Sequence, residues 1–293
     1  MLLAAALFAT FVLLDLALRA ADSRLSGNLA HIGEIPKLIE DLGAKGSPQA
    51  TLLLGNSLTN NGVDAAALAQ PVGKVTPDGS SFWDWKCIVE KQLIDHPERK
   101  VSRVVLGTAW HLASDETRAD PSRLGALFCS MGDIAHPASV GISSPGDIGE
   151  FIVARGSHLY ALRDTLRNRA LDKFIPHYKR FASEQNAAGR TDDKQPAEGT
   201  KHEVPYGNLA TLARSLKARG TSLVVVLMPV KQTYEADPAL LALAARGDLR
   251  LIDYRHLPGI EPAHFIDEMH LGADGRQVLT AQLARDLLEN TPR

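Results

Sequence analysis

The chain opens on residues 1–18, MLLAAALFATFVLLDLAL, apolar at every position except Thr10 and Asp15. As a helix rising about 1.5 Å per residue this run covers roughly 27 Å, close to the thickness of a bilayer core. No Lys or Arg precedes it and the exit, LRAADSR, lacks a good Ala-x-Ala site, so a removable leader fits poorly. A soluble helix at a chain terminus is rarely apolar on every face. The pattern therefore predicts an uncleaved transmembrane helix over residues 1–20. Arg19 and Arg24 lie after the span, and the positive-inside rule taken literally places the remainder in the cytoplasm. Residues 21–49 read as a tether, with helical spacing at Ile32, Ile35, Leu38, Ile39 and Leu42 until Gly43, Gly46 and Pro48 end it.

From about Ala50 the pattern becomes strand, loop, helix, repeated. Thr51–Leu54, Val101–Leu106, Ser222–Met228 and Leu249–Asp253 are short apolar runs that read as buried strands. Phe82–Leu93, Leu209–Arg219, Pro238–Ala245 and Ala273–Glu289 read as helices. Buried strands alternating with helices predict an α/β fold whose parallel sheet is covered on both faces, a three-layer α/β/α arrangement. Residues 50–111 and 206–293 form the predicted core. Residues 112–205 form an insertion, with a Pro/Gly/Ser-rich stretch at Asp133–Gly149, a helix at His158–Ala182 and a polar stretch at Asn186–Glu203.

Composition narrows the classes. The chain has 293 residues, 45% of them hydrophobic, and a formal net charge of −2. That is ample for a core and argues against a polytopic membrane protein, a disordered chain and a generally basic nucleic-acid binder. The average hides one basic helix. Within His158–Ala182, Arg163, Arg167, Arg169, Lys173, Lys179 and Arg180 face only Asp164 and Asp172, which reads either as a solvated face or as a surface for anionic lipid or acidic glycan. Two cysteines, Cys87 and Cys129, allow either a bridge pinning the insertion to the core or a pair of buried thiols. No His-Glu-x-x-His metal motif and no phosphate-binding glycine loop occurs, so neither metal nor cofactor is expected.

In parallel sheets functional groups gather at the carboxyl ends of the strands. After the first strand comes Gly55-Asn56-Ser57-Leu58. A serine at a strand-to-helix turn is a suitable mount for a nucleophile with free backbone N–H groups beside it, though such a serine is also an ordinary helix cap. After the last strand comes Asp267-Glu268-Met269-His270, then Gly272 and a long helix. The spacing lets Asp267 turn back and hold the imidazole of His270 in the tautomer that accepts a serine proton. Together the two segments resemble the SGNH (GDSL-type) hydrolase superfamily. Asn56 stands where that family usually has Asp, and Gly272–Gly275 matches its turn into the last helix. No G-x-S-x-G elbow of the α/β-hydrolase kind is present near mid-chain.

The resemblance implies a Ser57–Asp267–His270 triad and an oxyanion hole made by the backbone N–H groups of Ser57 and Gly79. Gly79 is equally readable as an ordinary turn glycine. The family's third block supplies an asparagine side chain, but here Gly107-Thr108-Ala109-Trp110-His111 contains none. Asn56, Asn60, Thr108 and His111 are substitutes by position, and Trp110 and His111 are positions for lining the pocket. With the apolar N-terminus, the departure narrows the resemblance to membrane-tethered SGNH-like proteins that work with polytopic membrane-bound O-acyltransferases. That branch implies an inner-membrane protein with its body in the periplasm or outside the cell, an orientation that outweighs the two arginines. It also implies transfer of an acyl group, acetyl above all, through Ser57 to a hydroxyl of an envelope polysaccharide. The expected partners are the polytopic acyltransferase, the glycan and membrane lipid, with no nucleic acid. A membrane-anchored esterase or deacetylase would use the same residues with water as acceptor. A degenerate SGNH domain that binds glycan or scaffolds the complex is the third alternative.

Overall fold

A computed structural model of the chain describes residues 9–18, 20, 35–44, 50–178 and 204–289. Residues 9–18 form helix α1, and Ile35–Ala44 form α2. The core then runs β1 (Thr51–Leu54), α3 (Ser57–Gly62), β2 (Val72–Val75), α4 (Phe82–Val89) and β3 (Arg103–Thr108). The insertion supplies α5 (Pro121–Arg123), α6 (Pro145–Gly156), α7 (His158–Ala161) and α8 (Arg163–Phe174). The core resumes with α9 (Gly207–Ala218), β4 (Ser222–Leu227), α10 (Pro238–Ala245), β5 (Arg250–Asp253) and α11 (Ala273–Glu289).

The five strands form one sheet in the order β2-β1-β3-β4-β5, every pairing parallel. Strand alternation sends Leu52, Leu54, Val104, Leu106, Val225 and Leu227 to one core, which α2, α4, α9 and α10 cover. Leu53, Val105, Val224, Val226 and Ile252 face the other, covered by α3 and α11. The three inner strands β1, β3 and β4 are buried on both faces and therefore apolar along most of their length. The edge strands carry Lys74 in β2, a strand the sequence pattern does not predict, and Arg250 and Asp253 in β5. The fold is the expected three-layer α/β/α arrangement. The order reverses direction between β1 and β3. In a parallel open sheet this is where a crevice opens at the carboxyl ends of the strands.

Several elements differ from expectation. The helix expected over Phe82–Leu93 leaves α geometry at Val89 and continues as a π-helical turn, Glu90–Ile94. The helix expected over His158–Ala182 breaks at Leu162 and ends at Phe174. Pro176 accounts for the end, since proline pushes the residue before it out of helical geometry; the part beyond residue 178 lies outside the described residues. Within the Pro/Gly/Ser-rich stretch, α6 is a full helix, with Ser144 capping and Pro145 at its first position. Cys87 and Cys129 form a disulfide, so the reading of two buried thiols gives way to the bridge. It ties α4 to the insertion across a loop of 42 residues, a closure worth about 4 kcal/mol in a chain-entropy account.

The expected transmembrane helix lies partly outside the described residues, since residues 1–8 are not described. Among the described residues no helix is long and apolar enough to cross a membrane. α1 instead meets the insertion: Asp15 Oδ1 accepts hydrogen bonds from Ser157 Oγ and the Leu159 backbone N–H, both at 2.8 Å. α2, within the segment expected as a tether, buries Ile35, Ile39 and Leu42 against the core. Gly73 of β2 permits that approach, because a Cβ there would lie 2.6 Å from a Leu42 methyl carbon.

Candidate active site

Ser57 is placed by a tight turn from β1 into α3. Asn56 caps the helix, its Oδ1 accepting from the Leu58 N–H at 3.0 Å, and Ser57 follows as the first helical residue. The short helix lies unusually close to the sheet. Thr59 fits between Gly55 and Gly107 and donates from Oγ1 to the Gly107 carbonyl. A Cβ on either glycine would approach Thr59 Oγ1 to within 2.2 Å. The two glycines therefore set how near the helix carrying Ser57 can come to β1 and β3.

His270 arrives on the loop between β5 and α11. A single antiparallel bridge, Phe265 with Leu271, closes that loop into a hairpin. Inside it Asp267 Oδ1 accepts from the backbone N–H groups of Met269 and His270, each at 2.7 Å. Asp267 Oδ2 lies 2.8 Å from His270 Nδ1, and His270 Nε2 lies 2.9 Å from Ser57 Oγ. A carboxylate only accepts, so Nδ1 carries the ring proton and Nε2 is left to accept the Ser57 hydroxyl. Burial pushes the Asp267 carboxyl up, but the hydrogen bonds from His270 and the two backbone N–H groups outweigh it, holding the group below the usual carboxylate range. The carboxylate is thus ionised at neutral pH and fixed on both oxygens. The side chain of His270 is 19% exposed and that of Asp267 53%, so the site opens to solvent.

Two further contacts lock the nucleophile to the base. Arg276 of α11 donates from Nε to the Asn61 carbonyl at 2.6 Å. Thr280 Oγ1 accepts from the Asp64 N–H at 3.0 Å. On its far side the loop is held to the end of β4, where Lys231 meets Glu268 through both backbone and side chain.

Gly79 lies in the loop from β2 to α4, at φ +69, a left-handed conformation that favours glycine. Its loop is tied to the nucleophile turn: Ser80 Oγ donates to the Gly55 carbonyl at 2.8 Å, and Trp85 Nε1 donates to the same oxygen at 3.1 Å. Beside Gly79 stands Arg123 of the insertion, whose Nη2 would lie 3.6 Å from a Cβ placed there. Arg123 pairs with Asp120 at 3.1 Å and with Asp84 at 3.4 Å. Burial drives the Asp84 carboxyl up to about 6, with Arg123 and the Ser81 N–H opposing it.

The residues after β3 make their contacts elsewhere. Thr108 is fully buried, and its Oγ1 has no hydrogen-bond partner. Trp110 adopts φ +48, an uncommon conformation for so bulky a residue, and packs on the Tyr234 ring at 5.5 Å. His111 Nδ1 lies 3.3 Å from Asp237 Oδ2; the histidine side chain is 45% exposed and the aspartate 5%. Asn60 is engaged by Thr76, whose hydroxyl donates to its Oδ1 at 3.3 Å. The structure thus brings Ser57, Asp267 and His270 together, ties the Gly79 loop to them through Gly55, and sets Trp110 and His111 against Tyr234 and Asp237. Arg123, Tyr234 and Asp237 were not singled out from the sequence. Each meets the site across a long chain separation; a local signal exists only for Asp237, directly before Pro238, and it marks a helix cap.

No family model and no curated protein matches the chain. Solved structures do. A GDSL-like lipase from Bacteroides thetaiotaomicron is similar at 10% identity and a TM-score of 0.44, over 88% of this chain and 98% of that one. A putative acylhydrolase from Bacteroides fragilis is similar at 12% identity and 0.39, over 83% and 88%. An acetylxylan esterase from Geobacillus stearothermophilus is similar at 13% identity and 0.37, over 83% and 95%.

Proposed function

We propose that the protein is an SGNH-type serine enzyme that cleaves acyl esters of hydroxyl compounds through an acyl-Ser57 intermediate. The observation that carries this reading is the unbroken relay from Ser57 Oγ through His270 to Asp267, with both hydrogen bonds below 3 Å. His270 Nε2 accepts the Ser57 proton as Oγ attacks the ester carbonyl, and Asp267 stabilises the imidazolium that forms. The Ser57 N–H stands at the first position of α3, where a helix offers its own N–H no partner; with the Gly79 N–H it supports the developing oxyanion. His270 then gives its proton to the departing alcohol oxygen, leaving the acyl group on Ser57. A second acceptor loses its proton to His270, attacks the acyl carbon and restores the free serine.

With water as that acceptor the enzyme is an esterase or deacetylase. With a polysaccharide hydroxyl it is an O-acyltransferase, drawing its acyl group from the expected polytopic partner. Two features favour an envelope setting for either reaction: the Cys87–Cys129 bridge, which suits an oxidising compartment, and the apolar N-terminal run. Solvent-open triad groups suit a bulky glycan as donor or acceptor. Hydrolysis of a chromogenic acetyl ester, followed with and without an added glycan, tests the reading. Ester cleavage that disappears in Ser57→Ala supports the serine enzyme. Acylated glycan appearing at the expense of free acetate selects transfer; free acetate alone selects hydrolysis. Turnover equal in Ser57→Ala and wild type overturns the acyl-Ser57 mechanism, and no turnover or acyl transfer by the wild type overturns both in favour of a binding or scaffold role.

A further inference from the structure

The exposed apolar side chains are not scattered. Of the thirteen large ones exposed among the described residues, nine lie on α1, on α6 and at the end of α8: Phe11 to Leu14 and Leu16, Ile152 and Val153, Phe174 and Ile175. An apolar groove of about 460 Å³ runs between α1 and the insertion, lined by Phe11, Val153, Leu159, Tyr160, Arg163 and Leu166. Concentrated apolar surface of this kind marks an interaction site rather than ordinary exposure.

Helix α1 is fixed to this surface by a polar contact shielded from water. Asp15, 7% exposed, accepts from Ser157 Oγ and the Leu159 N–H and so supports the start of α7. The groove-lining face of α8 continues along the helix: Arg163, Leu166, Arg167, Ala170 and Phe174 share one stripe at i, i+3, i+4, i+7 and i+11. Phe174 is 77% exposed, and Lys173 lies 5.9 Å from its ring centroid. Arg163 pairs with Glu150, and Arg167 with Asp164, yet α8 as a whole carries four cations against two carboxylates.

We propose that α1, α6 and α8 form one membrane-seating face, which presses the insertion onto a bilayer bearing anionic headgroups. Three observations select lipid as the occupant. The residues ahead of α1, MLLAAALF, have apolar, uncharged side chains, so the chain that leads into α1 adds apolar side chains and no side-chain charge. Arg163, Arg167 and Lys173 flank Leu166 and Phe174 on α8, so their long side chains can reach up to headgroups while the exposed Phe174 meets the acyl boundary. A second copy docking by the same face would set one basic α8 against another, which like-charge repulsion opposes.

The face therefore puts α6 and α8 in contact with lipid, where a simple N-terminal anchor would leave them in water. The full chain is reconstituted into phosphatidylcholine vesicles, with and without phosphatidylglycerol, carrying a bromine-labelled acyl chain. Val153→Trp and Phe174→Trp are compared with Leu241→Trp, on the exposed side of α10, each read as emission added over the native tryptophans. The expected result is loss of roughly half or more of the added emission at 153 and 174, deepened by phosphatidylglycerol, with little loss at 241. Near-UV circular dichroism confirms that each variant is folded. Vesicle-bound protein whose 153 and 174 probes are quenched no more than 241 overturns the proposal, leaving the N-terminus as sole anchor. A detergent-solubilised dimer that shields both probes while lipid quenches neither also overturns it, in favour of a second copy. Adding Arg167→Glu and Lys173→Glu to Phe174→Trp should abolish the phosphatidylglycerol effect; its persistence overturns the headgroup contact.

Discussion

The two walls of the crevice at the β1/β3 reversal are built on different principles. On the β1 wall, the polar groups around Ser57 point into one connected arrangement. Asn56 caps, Asn61 is held by Arg276, and His270 is held by its own loop through Asp267. On the β3 wall the side chains are spent on the fold. Thr108 is sealed in the core, Trp110 packs on Tyr234, and His111 turns to Asp237. Side by side, one wall holds a serine, an imidazole and a carboxylate in a single relay, while the other uses its side chains for packing and for a remote ion pair.

The comparison breaks first at the β1 wall. Ser57→Ala and His270→Ala should each lower kcat for ester cleavage by about 10⁴-fold or more, since the members of such a relay act as a unit. Steady-state kinetics on a chromogenic acetyl ester checks this, and a loss under tenfold would mean the relay is not the engine. Asp267→Asn should cost about 10²- to 10⁴-fold in kcat, because an amide nitrogen at Oδ2 favours the wrong imidazole tautomer. Its exposure places the effect toward the lower end. Gly79→Ala keeps the backbone N–H but strains the left-handed φ of +69, which should cost roughly 1–2 kcal/mol of stability; kcat should fall, by about 10²-fold at most, only if relief of that strain swings the N–H off the oxyanion. Melts equal to wild type would show that the turn does not depend on glycine.

Much smaller effects are expected at the β3 wall. Thr108→Val should change kcat less than tenfold and raise stability by up to about 1 kcal/mol, since a buried hydroxyl without a partner is replaced by a methyl group. Paired chemical melts and kinetics measure both. A large kcat loss would make Thr108 Oγ1 the missing oxyanion donor and erase the difference between the walls.

The triad segments were legible in the sequence because their roles are set locally: a serine at a strand-to-helix turn, and an aspartate three residues before a histidine. Four of the five strands were legible from apolar runs; the edge strand β2 was not, because Gly73 and Lys74 break the run between Val72 and Val75. Helix α6 was not, because Pro145, Gly146 and Gly149 read as loop chemistry, although Ser144-Pro145 followed by Asp147 is itself a helix-start pattern. The Cys87–Cys129 pairing and the reach of Arg123 back to Gly79 depend on how the insertion folds over α4, which no local spacing encodes. The same holds for His111 and Asp237, brought together by the sheet order.

The last expected effect concerns stability rather than rate. Asp84 is buried and its folded-state carboxyl is raised to about 6. Its contribution to stability is therefore full below about pH 4 and is lost as pH rises through about 6, by on the order of a few kcal/mol. Asp84→Asn should flatten that part of the pH–stability curve, measured by denaturant melts between pH 4 and 7. A curve parallel to wild type would show that Arg123 keeps the carboxylate ionised throughout.

The central claim is that Ser57 carries the acyl group. Acid quenching during turnover of an activated acetyl ester, followed by peptide mass spectrometry, tests it most directly. The account predicts one acetyl group on the peptide containing Ser57, present in wild type and absent in Ser57→Ala. Turnover with no acetylated peptide under conditions that trap acyl-enzymes, or acetylation undiminished in Ser57→Ala, would contradict it.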